Sequence, residues 1–217
     1  MNYVTGDVRD QLAYVGREVV RAGLVVGSGG NLSARGPDGD SCWVTATGTW
    51  LDRLDRSSFV PVRIADGHCP PWHAAPSSEL ALHLAIYRTR PDVHAVVHLH
   101  PQSVLLLDAL GVDLRLVTTD HIFYLRRVVR VPFRLPGTTE LADLAASAAA
   151  DGTNCLILSR HGCSVLGESV EVAHKRAVNL EEAARLTYHA LLAGRLDALP
   201  DPPPEFLDRL AGGATTV

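Results

Sequence analysis

The stretch VHAVVHLHP, residues 93–101, is a short apolar run preceded by Pro91 and closed by Pro101. It is shorter than an ordinary helix and bounded by helix breakers, so it predicts a buried strand. CLILS, residues 155–159, predicts another. Strands apolar on both faces need covering layers, and the segments between them supply helices. Residues 7–23, DVRDQLAYVGREVVRAG, place Val8, Leu12, Val15, Val19 and Ala22 three or four apart, with Gly23 as a stop signal. APSSELALHLAIYRTRPD predicts a capped helix closed by Pro91, and Gln102 to Leu110 a further helix. RRVVRVPFRLPG predicts a strand, after which Thr138, Thr139 and Glu140 open the alanine-rich helix LADLAASAAA. The longest periodic segment, SVEVAHKRAVNLEEAARLTYHALLAG, predicts a long helix ending at Gly194.

NLSAR and CWVTA flank the turn GPDG and predict a hairpin edged by glycine-rich loops. Strands and helices intermix without strict βαβ alternation, and no internal repeat is visible. The expected fold is therefore α/β, a three-layer α/β/α arrangement on a central mixed, mainly antiparallel sheet. At 217 residues the chain is expected to form one domain over residues 1–217. Its end, with DALPDPPPEF and GGATTV, is expected to be an extended, mobile, proline-rich tail over residues 199–217.

A net charge of −4 without a basic cluster argues against nucleic acid as a partner. No stretch approaches the roughly 20 apolar residues of a membrane span, and MNYVTGDVRD lacks the apolar core of a signal peptide. The expectation is a cytoplasmic protein with no membrane partner. Cys42, Cys69, Cys155 and Cys163 show no CxxC spacing and read as free thiols.

On a strand, residues two apart share a face, so His98 and His100 present both imidazoles to one side of the sheet. That geometry can grip one metal ion, though an isolated HxH is as often a chance pair on a solvated face. A catalytic zinc site takes about three protein ligands. His161, in RHGC just after the strand CLILS, is the leading candidate for the third. The other histidines, His83 among them, read as surface or packing residues, while His121 in TTDHIFY stays open as a substrate contact or a support to the ligands.

The set GSGGNLSAR, TATG, APSSE, HLHP and RHG, in this order over about residues 7–194, resembles the class II aldolase/adducin family, and in particular its L-fuculose-1-phosphate aldolase-like members. The resemblance implies one divalent metal ion per subunit held by His98, His100 and His161, with zinc first and manganese, cobalt or iron(II) as alternatives. It implies that Glu79 of SSE is the acid/base, and that Asn31, Thr47, Gly48, Ser77 and Ser78 bind the phosphate of a small phosphorylated sugar or ketose. Chemistry agrees with this assignment: glycine loops, hydroxyls and a helix start are what a phosphate needs. Taken alone, Ser77 reads equally as a helix cap and Glu79 as a carboxylate favoured by the helix dipole.

The implied activity is metal-dependent aldol cleavage or formation of a ketose 1-phosphate through an enediolate. To hold a proton at neutral pH, the Glu79 carboxyl would need a raised pKa. Epimerase-like members carry SSD, so Glu79 points to an aldolase or a sugar-acid phosphate decarboxylase without choosing between them. Epimerase, dehydratase and an adducin-head-like binding domain are the remaining alternatives. The tyrosine that the family uses as acid on the aldehyde oxygen has no clear counterpart here, and Asp120, His121 or Tyr124 could substitute. Family members borrow that group from a neighbouring subunit, which implies a homotetramer with sites at subunit interfaces.

Overall fold

The computed structural model describes residues 4–211, which leaves GGATTV, the last part of the expected tail, outside the described residues. The chain opens with α1 (Val8–Arg21), whose start is capped by the Asp7 carboxylate accepting from Arg9 N. The hairpin β1 (Asn31–Arg35) and β2 (Ser41–Thr45) follows, and β3 (Phe59–Arg63) adds an edge strand. This third strand was not evident in the sequence, because Pro61 interrupts it; proline is tolerated there at a sheet edge. Next come α2 (Leu80–Thr89), β4 (Ala95–Leu99) and α3 (Gln102–Leu110). The remainder is α4 (Thr119–Leu125), β5 (Val128–Val131), α5 (Thr139–Ala149), β6 (Cys155–Leu158), β7 (Gly162–Gly167), α6 (Val170–Leu192) and α7 (Pro204–Ala211).

The strands form one sheet in the order β3-β2-β1-β4-β7-β6-β5. Every pairing is antiparallel except β5 with β6, which is the mixed, mainly antiparallel sheet expected from sequence. Alternation along β4 divides the core. Ala95, Val97 and Leu99 join Leu12, Val15, Leu107 and Leu180 beneath α1, α3 and α6. Val96 joins Leu82, Ile86, Leu141 and Ala145 beneath α2 and α5. The result is helices, sheet, helices. His98, in phase with Val96, points to the α2 side.

Besides β3, helix α4 was not expected, and two further segments differ from expectation. SRHGC does not simply end the β6 strand: Ser159–His161 is a tight turn, and Gly162–Gly167 returns as β7, buried along its whole length. Its glycines and serine have low strand propensity, so burial decides its conformation. The tail is not extended throughout, since Pro204 starts α7. A proline suits the first helical position because no partner is lost there, and the Pro203 carbonyl accepts from Phe206 N and Leu207 N. The cysteines are free thiols, with Cys42, Cys155 and Cys163 buried.

Candidate active site and metal centre

The centre forms where the ends of three neighbouring strands meet the start of α2. Asn31 of β1 and Ser164 of β7 stand opposite His98 of β4, so the three side chains make a row across the sheet facing α2. Their polarity at 0% exposure for His98 and Ser164 requires partners. His98 Nδ1 lies 3.1 Å from Ser164 Oγ, and its Nε2 lies 3.1 Å from His100 Nε2. His161, at the end of the β6–β7 turn, brings its ring to 4.7 Å from that of His98 and 5.3 Å from that of His100.

Close approach of backbones makes this convergence possible. A Cβ on Gly162 would stand 2.4 Å from the Leu99 carbonyl oxygen, and one on Gly30 2.7 Å from that of His98. Gly30 also holds φ +77°, which other residues adopt at a cost. Arg160, just before His161, holds φ +60° without that freedom. Asp108 of α3 holds the turn in place: its carboxylate accepts from Ser159 Oγ at 3.0 Å and from Arg160 N at 2.9 Å. The other end of α3, directly after His100 and Pro101, is fixed by Glu181, which accepts from Ser103 N and Val104 N.

Glu79 is the N-cap residue of α2, yet its side chain makes no capping bond. The carboxylate turns instead into the histidine cluster, with Oε2 at 3.1 Å from His98 Nε2 and Oε1 at 3.2 Å from His161 Nε2. The Glu79 side chain therefore does not serve as a cap. Burial alone would raise its carboxyl, but the hydrogen bond and charge of His98, the charge of His161 and the Asn31 amide hold it well below the usual carboxylate range. That direction is opposite to the raised pKa that Glu79 would need to hold a proton at neutral pH. Burial, followed by the charges of His98 and His161, pushes His100 down to about 4; burial and His98 also push His161 down.

Glu79, His98, His100 and His161 each offer a ligand atom, all within 4.8 Å of one another. Glu79 Oε1 and His161 Nδ1 are buried without a hydrogen bond. Imidazole nitrogens facing each other at 3.1 Å, with a carboxylate oxygen left unsatisfied among them, fit a divalent cation of the kind that accepts nitrogen and oxygen ligands.

Beside this cluster opens a cleft of about 170 Å³ lined by all five expected phosphate residues, Asn31, Thr47, Gly48, Ser77 and Ser78, together with Glu79 and His100. Among the described residues no lysine or arginine lines it, so an anion there would meet backbone N–H groups and hydroxyls. Ser77 Oγ already accepts from Glu79 N, and Asn31 donates to Glu79 Oε2 at 2.8 Å. Asp120, His121 and Tyr124 do not line this cleft. They lie on α4, where buried His121 meets Glu182 at 3.3 Å and Arg176 donates to the Tyr124 carbonyl.

Beyond the residues expected, the structure brings Ser33, His83 and Tyr87 into contact behind Asn31. His83 is not on the surface: it is fully buried, and it is hydrogen-bonded as well as packed. The one available signal was its place four residues after Glu79, on the same helix face.

A family profile described as Class II Aldolase and Adducin N-terminal domain matches residues 10–188. The chain belongs to this family. As a member of the class II aldolase and adducin family, it is 35% identical over 164 residues to the L-fuculose phosphate aldolase of Methanococcus maripaludis, covering 76% of this chain and 87% of that protein. It is also 35% identical over 192 residues to the 3-oxo-tetronate 4-phosphate decarboxylase of Escherichia coli, covering 85% of this chain and 88% of the relative. A solved L-fuculose 1-phosphate aldolase superposes with a TM-score of 0.83 at 26% identity, covering 97% of each chain. Class II aldolases use a divalent metal, and the Glu79/His98/His100/His161 cluster of this member is able to bind one. Among the described residues, no helix is long and apolar enough to cross a membrane.

Proposed function

We propose that the protein is a metal-dependent aldolase that cleaves or forms a C–C bond of a ketose 1-phosphate, with the metal, zinc first, held by His98, His100 and His161. The observation that carries this reading is the convergence of three imidazoles and the Glu79 carboxylate within 4.8 Å beside the cleft. A divalent ion bound there would supply a Lewis acid for the substrate carbonyl. Glu79, ionised and with Oε1 free of hydrogen bonds, suits proton transfer at the nucleophilic carbon. In the bond-forming direction its carboxylate takes that proton; in cleavage the proton returns to the same carbon. Asn31, Thr47, Gly48, Ser77 and Ser78 hold the phosphate and so fix the carbon chain against Glu79.

The acid on the aldehyde oxygen comes in this reading from α4 of a neighbouring subunit in a homotetramer. Asp120 is exposed and Tyr124 half-buried, so both can reach outward, whereas His121 is fully buried against Glu182 and serves better as a support. The Escherichia coli relative favours a second reading, decarboxylation of a 3-oxo sugar-acid phosphate in the same cleft, since its identity equals that of the aldolase. Product analysis separates the two. The zinc-loaded protein is given ketose 1-phosphates and 3-oxo sugar-acid phosphates, with aldehyde and carbon dioxide measured. Aldehyde release that stops on chelation is expected; carbon dioxide alone selects the second reading, and turnover unaffected by chelation contradicts both.

A further inference from the structure

Two periodicities meet behind Asn31. Helix α2 carries His83 and Tyr87 four and eight residues after Glu79, on one face. Strand β1 carries Asn31 and Ser33 two apart, on the sheet surface facing that helix. The side chains interlock in alternation: Tyr87 OH is 2.8 Å from Ser33 Oγ, which is 2.6 Å from His83 Nδ1. His83 Nε2 is 2.5 Å from Asn31 Oδ1, and Asn31 Nδ2 is 2.8 Å from Glu79 Oε2. Ser33 and His83 are 0% exposed, Tyr87 1%, Asn31 6% and Glu79 7%, so the chain of contacts is shielded from water.

We propose that Tyr87, Ser33 and His83 form a positioning relay that locks the Asn31 amide and, through it, fixes the Glu79 carboxylate against the histidine centre. This rests on reading Glu79 as the group that moves the proton. The order of donors follows from what each group can do. Asn31 Nδ2 donates to Glu79 Oε2, which leaves the amide oxygen to accept from His83. His83 must then donate from Nε2. Burial first, and then the charge of His98, pushes His83 down to about 3, with Glu79 opposing, so the ring is neutral and accepts at Nδ1. Ser33 fills that acceptor with its proton and receives the Tyr87 hydroxyl in turn. Turning the Asn31 amide over would set its oxygen against the carboxylate and its NH₂ against the His83 N–H, losing two bonds at once. Tyr87, 8 residues from Glu79 in sequence, thereby sets how the carboxylate faces the metal centre.

The test uses full-length, zinc-loaded protein with two readouts. In ¹⁵N-histidine NMR spectra, His83 is expected as the neutral Nε2–H tautomer between about pH 5 and 8. A protonated ring or the Nδ1–H tautomer overturns the relay, whatever the activity. In kinetics, His83→Phe is expected to lower kcat roughly 10- to 100-fold with zinc content kept, the loss typical of groups that support a metal site from behind. His83→Gln, whose amide N–H can still reach Asn31, is expected to recover part of it. Wild-type kcat in folded, zinc-loaded His83→Phe overturns the proposal. If that variant does not fold, Tyr87→Phe and Ser33→Ala carry the same test, with a fall in kcat expected and wild-type kcat in both contradicting it. If Glu79→Gln keeps wild-type turnover while His83 shows the expected tautomer, the role given to Glu79 fails and the relay's donor order stands.

Discussion

His98 sits on β4, the middle strand of seven, with β1 and β7 bonded on either side, whereas Asp120 and Tyr124 ride on α4, a helix of 7 residues packed on α6. Around His98 the sheet fixes backbone and side chain together. Ser164 lies opposite on one strand, Asn31 on the other, and Gly162 lets the third histidine close in. On α4 the anchors hold the backbone, through Thr118 at the cap and Arg176 on the Tyr124 carbonyl, and leave the Tyr124 ring half-buried beside Lys175. The difference teaches that this chain completes a ligand cluster by itself but presents its remaining candidate acids away from the cleft.

Glu79→Gln probes the side of this comparison built into the sheet and should have the largest effect. It keeps the shape but removes the charge and the base that the proposed reading needs, so turnover should fall about 10²- to 10⁴-fold with fold and metal retained. Near-normal turnover, measured by single-turnover kinetics, would detach Glu79 from the chemistry.

A smaller effect is expected on the α4 side. Tyr124→Phe should lower kcat about tenfold or more if its hydroxyl serves a neighbour's site. Mixing Tyr124→Phe subunits with His98→Ala subunits should then restore activity, because one site in the mixed assembly has both groups intact. Activity that does not return after confirmed subunit exchange, with each variant impaired alone, would contradict a site shared through Tyr124.

The sequence made these two regions unequally legible. His98 and His100 could be read from strand periodicity alone, since two apart on a buried strand means one face. His161 could be singled out by its place at a strand end in RHGC, but Glu79 needed the resemblance, because nothing in its own neighbourhood says that the start of α2 meets the end of β4. His83 was misread because its partner Asn31 lies 52 residues away and a lone histidine on an apolar helix face carries no sign of what covers it. The strand β7 was hidden by Gly162 and Gly167, which allow close packing, and by Ser164, which meets His98, all at the expense of strand propensity. Helix α4 was too short for periodicity to declare, and proline-rich composition masked α7.

The smallest expected effect is on stability in acid. The folded protein holds His83 near about 3, below the roughly 6.5 of an unfolded chain. Between those values the unfolded state binds a proton that the folded state refuses, so stability is lost as pH falls through this window. In thermal melts of zinc-loaded protein, His83→Gln should show a shallower loss of Tm from about pH 6 to 4 than wild type. An unchanged slope would mean that His83 is not held neutral by the fold.

Zinc content after dialysis tests the central claim most directly. Wild type, measured by elemental analysis alongside His98→Ala and His100→Ala, should retain about one zinc per chain, with each variant losing most of it while keeping the wild-type circular dichroism spectrum. Zinc retained in folded His98→Ala at the wild-type level, with wild-type turnover, would contradict the account, because the row of polar side chains across the end of the sheet would then not be the metal centre.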